Sequence, residues 1–266
     1  MFPPYLLNEL RDCRRVYLCP HRHLFQIPLH ALPLGQPLFA DFETSYALKT
    51  AHIMKLVTTS RGLAAAPARR WVMVDKAALG SFAPWVDPWV ARRNEWSRQG
   101  LGIEEFMQEG ANADQALVCC HGQLDEARPG RARFRLWGGG RLVADDIHRI
   151  AGTGTMNPGR ESAIDLGRGD WVIAACDAGG ARVAMRTAPG LALSLVTCGA
   201  DRVTSCVYRV APRVAARFLS FFLSACDGGH PAPFTAAVMG LYKKGGRSGW
   251  AEAASFVSYG LFHDAG

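Results

Sequence analysis

Two short apolar runs constrain this chain more than any other feature: Gln115-Ala116-Leu117-Val118-Cys119-Cys120-His121-Gly122 and Asp170-Trp171-Val172-Ile173-Ala174-Ala175-Cys176-Asp177. Each has the length of a buried strand and ends in one reactive side chain, His121 in the first and Cys176 in the second. As neighbouring parallel strands they bring imidazole and thiol out at the same edge of one sheet. That edge is where an active site is expected, because open α/β sheets collect their reactive groups beyond the carboxyl ends of the strands.

The rest of the chain alternates strand-like and helix-like segments. Strands are expected at Val16–Cys19, Trp71–Val74 and Arg202–Val207, and a small hairpin is expected at Phe134–Trp137 and Arg141–Val143 about the Gly138-Gly139-Gly140 turn. Helices are expected at Leu6–Arg15, at Ser45–Leu56 with Thr44 or Ser45 as N-cap, and at Ile103–Glu109, Asp145–Ile150, Gly190–Cys198, Val210–Cys226 and Pro233–Lys244. A last hydrophobic run spans Ala254–Leu261. Prolines 28, 33 and 37 exclude a helix between His21 and Leu38. Such alternation predicts an α/β fold, a three-layer αβα sandwich with a mostly parallel central sheet and small hairpin additions. The reading is a single domain over residues 1–266, with residues 1–66 as a candidate N-terminal subdomain.

Composition narrows the function. Apolar residues make up 49% and charged residues 20%, as in ordinary globular proteins, and 266 residues can bury a full core without a disulfide or metal. The net charge of +7 is scattered; its densest cluster, Arg128-Pro129-Gly130-Arg131-Ala132-Arg133, reads as a solvated turn, so no direct nucleic-acid contact is expected. No secretory signal opens the chain, and Phe218–Ala225 is far short of the roughly 20 residues of a membrane span. Several of the eight cysteines sit inside apolar runs, which suits reduced, buried thiols and a cytoplasmic location. Cys119, Cys120, Cys198, Cys206 and Cys226 read as core residues. Cys19-Pro20-His21-Arg22-His23 has no second cluster with zinc-like spacing, so no metal is expected.

A thiolate is a strong nucleophile, and an adjacent imidazole can deprotonate the thiol and later protonate a leaving amine. The pattern therefore predicts a cysteine peptidase without cofactor: Cys176 attacks a peptide carbonyl, His121 acts as general base and acid, and the backbone N–H groups of Gly122 and Cys176 hold the tetrahedral oxygen. His121 and Cys176 are 55 positions apart (176 − 121), near the roughly 50 of caspase-type enzymes.

Four blocks carry a family resemblance. They are Leu18-Cys19-Pro20 with Leu24 and Ile27-Pro28-Leu29-His30-Ala31-Leu32-Pro33; Val118-Cys119-Cys120-His121-Gly122; Ile173-Ala174-Ala175-Cys176-Asp177-Ala178-Gly179; and Gly249-Trp250-Ala251-Glu252-Ala253-Ala254-Ser255-Phe256-Val257-Ser258-Tyr259-Gly260. In that order they resemble a CHAT domain, a caspase-like cysteine peptidase class related to separase. The resemblance implies a caspase-like fold, a His121 and Cys176 dyad, and cleavage of a protein partner in a regulated bacterial response such as antiviral defence or programmed death. The chain departs from it at Tyr208-Arg209-Val210-Ala211-Pro212, which lacks the family's aspartate, and in carrying no repeat array, which leaves two modes of regulation open: a repeat-containing regulator or sensor in trans, or membership of a larger assembly. Bacterial enzymes of this type often take a basic P1 residue. Asp177, Asp125, Asp145 and Asp146 are candidates for the pocket carboxylate, Asp177 first because it adjoins the nucleophile. The alternative reading is a non-catalytic scaffold that docks partners through Trp85, Trp89 and Trp96.

Overall fold

The computed structural model describes residues 9–10, 12–20, 24, 27–32, 36–47, 69–74, 102–120, 122–123, 133–136, 140–151, 166, 169–175, 191–208, 210–260 and 262. Its centre is a seven-stranded sheet. In chain order the strands are β1 (Arg15–Leu18), β2 (Glu43–Tyr46), β3 (Arg70–Val74), β4 (Gln115–Cys119), β8 (Asp170–Ala174), β9 (Arg202–Cys206) and β10 (Phe256–Gly260), and β5 (Gly122–Gln123), β6 (Arg133–Arg135) and β7 (Arg141–Val143) form a separate three-stranded sheet. The spatial order is β1-β2-β10-β9-β8-β4-β3. β3, β4, β8 and β9 run parallel to one another, as do β1, β2 and β10, and the two blocks meet antiparallel at β9 and β10.

Period-two burial explains why these runs are strands. In β4, Ala116 and Val118 pack on one face with Cys120 just beyond the strand, while Leu117 and Cys119 pack on the other; in β8, Trp171 and Ile173 oppose Val172 and Ala174. All residues of β4, β8, β9 and β10 are buried, as expected of strands covered on both faces. Helices α2 (Ile103–Ala111), α3 (Ala144–Ile150) and α4 (Leu191–Thr197) supply the cover on the first face, through Phe106, Met107, Ile147, Ile150 and Leu195. The second face is covered by α1 (Leu38–Asp41), α5 (Pro212–Asp227), α6 (Pro233–Lys244) and α7 (Gly249–Ala254). Proline opens α5 and α6, where its missing N–H costs nothing, and Gly199, with φ of 115°, turns the chain out of α4 toward β9. The α/β sandwich expected from the sequence is the observed architecture.

Three expectations fail. The helix expected over Leu6–Arg15 stops short of Arg15, which pairs with Glu43 as the first residue of β1. A three-residue 3₁₀ helix, Leu29–Ala31, forms inside the segment expected to hold none, because Pro28 stands at its N-cap, where no N–H is needed. Thr44 and Ser45 do not cap a helix: both are buried within β2, and the Ser45 hydroxyl donates to the carbonyl of Gly260 at 2.8 Å. Glu43-Thr44-Ser45-Tyr46 suits a strand as well as a helix start, and the vacancy beside β10 decides for the strand. The remainder of the expected Ser45–Leu56 helix, beyond Ala47, lies outside the described residues.

The amino ends of the strands are fixed by a polar row. Gln115, Asp170 and Arg202 are register partners at the amino ends of β4, β8 and β9, and Gly260, at the carboxyl end of antiparallel β10, is the partner of Arg202. Arg202 donates to Asp170 through both Nε (3.0 Å) and a terminal nitrogen (2.6 Å), with side-chain exposures of 2% and 4%, and Gln115 adds a bond at 3.3 Å. Two parallel bonds to one carboxylate fix both distance and angle, so the pair locks β8 to β9 in one register.

Candidate active site

The carboxyl ends of β3, β4, β8 and β9 share one edge of the sheet. β4 and β8 are adjacent there, with Cys119 paired to Ala174 and every pair from Gln115–Asp170 onward offset by the same 55 positions. Buried Cys120 and Ala175 continue the two segments. His121 follows Cys120 by one residue and Cys176 follows Ala175 by one, so the spacing that first linked these residues is the register offset of the two strands. His121, Cys176, Asp177 and Asp125 themselves lie outside the described residues, as do Trp85, Trp89 and Trp96.

Gly122 is described. It opens β5, half-buried, and pairs antiparallel with Phe134. The chain thus leaves the main sheet directly after β4 and enters the hairpin sheet, whose buried Phe134 and Leu142 face each other across β6 and β7. Of the proposed pocket carboxylates, Asp145 is exposed in the first turn of α3, and Asp146 accepts the Val143 N–H at 3.1 Å and pairs with Arg149 at 3.3 Å. Both stand at the start of α3, one turn beyond the hairpin, with Asp146 engaged in capping.

A thiol–imidazole contact also exists elsewhere. Cys198 Sγ lies 3.2 Å from His148 Nδ1, the geometry of a dyad. The sequence reading missed it because Cys198 looks like an ordinary apolar-helix residue and His148 like a polar helix face. Its spacing of 50 positions matches the caspase-type figure at least as well as 55 does, so spacing alone selects neither pair. Position separates them. Cys198 follows α4 and precedes the amino end of β9, four residues before Arg202, whereas the shared carboxyl edge lies a strand length away, about 13 Å at roughly 3.3 Å per residue.

Two of the other described thiols are held in the protonated form. Burial pushes Cys119 up to about 12, and Cys226 up to about 11 with the Asp170 carboxylate adding to the effect. Both stay protonated at neutral pH.

By sequence, no family description and no curated protein matches the chain. Solved structures do match. Separase of Saccharomyces cerevisiae, in its complex with securin, aligns over 92% of this chain and 15% of its own with a TM-score of 0.59 at 11% identity. The Arg-specific cysteine proteinase gingipain R aligns over 82% of this chain and 54% of its own, TM-score 0.53 at 10% identity. The chain has the caspase-like peptidase fold. The complex of Porphyromonas gingivalis RgpB pro- and mature domains gives a similar result, TM-score 0.52 at 9% identity over 82% of this chain and 55% of that one. The caspase-like chain described here therefore spans less than two thirds of the length of each. No helix among the described residues is long and apolar enough to cross a membrane.

Proposed function

We propose that the chain is a CHAT-like cysteine endopeptidase whose dyad is His121 and Cys176. The observation that carries this reading is the β4–β8 register: the offset of 55 that relates each described pair also relates His121 to Cys176, two residues past the last pair, at the edge where such sheets hold their reactive groups. The proposal extends that register by those two residues.

In the reaction, His121 takes the Cys176 thiol proton as sulfur bonds to the scissile carbonyl carbon. The carbonyl oxygen becomes an oxyanion held by the N–H groups of Gly122 and Cys176. Collapse breaks the C–N bond, His121 delivers the proton to the leaving amine, and water activated by the same imidazole hydrolyses the acyl-enzyme. Asp177, beside the nucleophile, supplies the carboxylate for a basic P1 side chain. The substrate is a protein partner cleaved within a regulated bacterial response in the cytoplasm, with a repeat-bearing sensor acting in trans. Separase, part of which shares this fold, occurs in a complex with securin, which supports a protein partner here.

An acyl-reactive cysteine probe tests the reading. Labelling is expected at Cys176, lost in Cys176→Ala, reduced about 10²- to 10⁴-fold in His121→Ala, and retained in Cys198→Ala. Labelling that moves to Cys198, or none at Cys176 under any activating condition with partner function intact in Cys176→Ala, sinks it and leaves the scaffold reading.

A further inference from the structure

The Cys198–His148 contact has no part in the proposed peptide cleavage. Its two members come from different helices, Cys198 just after α4 and His148 in the last turn of α3, so it exists only when those helices pack together. Cys198 is 8% exposed and is flanked in sequence by exposed Thr197 and Gly199; His148 is half-buried. The contact is thus part-buried, close to exposed backbone on either side of Cys198. α4 itself carries no charged residue in its first or last turn; the charged groups of α3 are Asp145, Asp146 and Arg149, the latter two paired.

We propose that Cys198 and His148 form a second thiol site, modified by peroxides and other small soft electrophiles, whose modification loosens the packing of α3 on α4. At 3.2 Å, His148 Nδ1 can take the thiol proton as attack begins. The sulfur forms a bond to one peroxide oxygen while the O–O bond breaks, and the leaving hydroxide recovers the proton from the imidazolium to become water. Sulfur is oxidised by two electrons to sulfenic acid and the peroxide is reduced by two. Cys198 is only 8% exposed, so an oxygen added to Sγ needs space that close packing around the α3–α4 contact does not hold, and that packing gives way. Access alone does not predict this reactivity, since Cys13 and Cys19 are exposed and Cys198 is buried.

The test uses the full chain carrying Cys176→Ser, so that the proposed nucleophile is silent and failure of the peptidase reading leaves the result unchanged. Dilute hydrogen peroxide with dimedone, read residue by residue by mass spectrometry, is expected to label Cys198 faster than exposed Cys13 and Cys19 and to leave Cys119 unlabelled. His148→Gln is expected to slow Cys198 labelling at least about tenfold without changing Cys13. Oxidation is expected to lower the thermal midpoint of the parent but not of Cys198→Ser. Cys198 labelling slower than that of Cys13 in the parent overturns the proposal whether or not His148→Gln folds. So does a rate indifferent to His148→Gln.

Discussion

Asp170 and Arg202 form an ion pair almost wholly withdrawn from water, at the heads of two fully buried strands. Desolvating both charges offsets much of their attraction, so the pair adds little net stability, but removing one partner strands the other. Asp170→Asn is expected to destabilise the chain by about 3–5 kcal/mol in denaturant unfolding, while replacing both by apolar residues of similar size costs far less. A single and a double variant equal in cost would exclude this account. Residue identity alone did not reveal the pair: Asp170 stands at the head of a recognisable strand and Arg202 at the head of another, yet nothing in either segment says that the heads meet. The Cys198–His148 contact was hidden for the same reason. His121 and Cys176 could be proposed from sequence because each follows a run whose apolar pattern is unambiguous.

At the scale of elements, strands and helices with a single periodicity were legible. β4 and β8 follow from continuous apolar runs of strand length, α2 from its amphipathic period, and α5 from its long apolar stripe behind Pro212. β2 was not, because a Thr-Ser pair serves a cap or a strand equally well and only the neighbour β10 decides. The opening and closing family blocks also acquire a physical meaning here. Trp250 of α7 donates its indole N–H to the Ala31 carbonyl at 2.7 Å, tying the helix to the short 3₁₀ turn Leu29–Ala31 from the far end of the chain. Trp250→Phe, which keeps most of the ring and loses the donor, is expected to cost about 1 kcal/mol, seen as a lowered denaturant midpoint with unchanged slope. No change in midpoint would show that water replaces the bond without loss.

The molecule as a whole carries a built-in acid sensitivity. His30 is fully buried between Tyr46, which its Nδ1 meets at 2.8 Å, and Phe39, with no hydrogen-bond partner for Nε2 among the described residues. Burial pulls its pKa from 6.5 down to about 4, opposed only in part by main-chain groups of Ala253 and Phe256. The unfolded chain therefore takes up a proton first as pH falls. Stability present above pH 6.5 is lost between about 6.5 and 4, and the loss levels off below, at a total of about 3 kcal/mol from the ~1.4 kcal/mol carried by each pH unit. Unfolding free energy measured across this range should fall accordingly, and His30→Phe should flatten the curve; an equal slope in both proteins would assign the loss to other groups.

The place of β10 bears on how the protein is made. It lies between β2 and β9, the joint between two parallel blocks, yet it follows every other described strand in the chain. During synthesis the β1–β2 pair has no partner in the main sheet until the ribosome has passed Gly260, and β9 meanwhile presents an open edge. A nascent chain is thus left with two unmatched borders that invite wrong pairings, and the framework around the β4–β8 edge is completed last. Emergence of β10, rather than of the His121 and Cys176 segments, sets the moment at which that edge acquires its final surroundings.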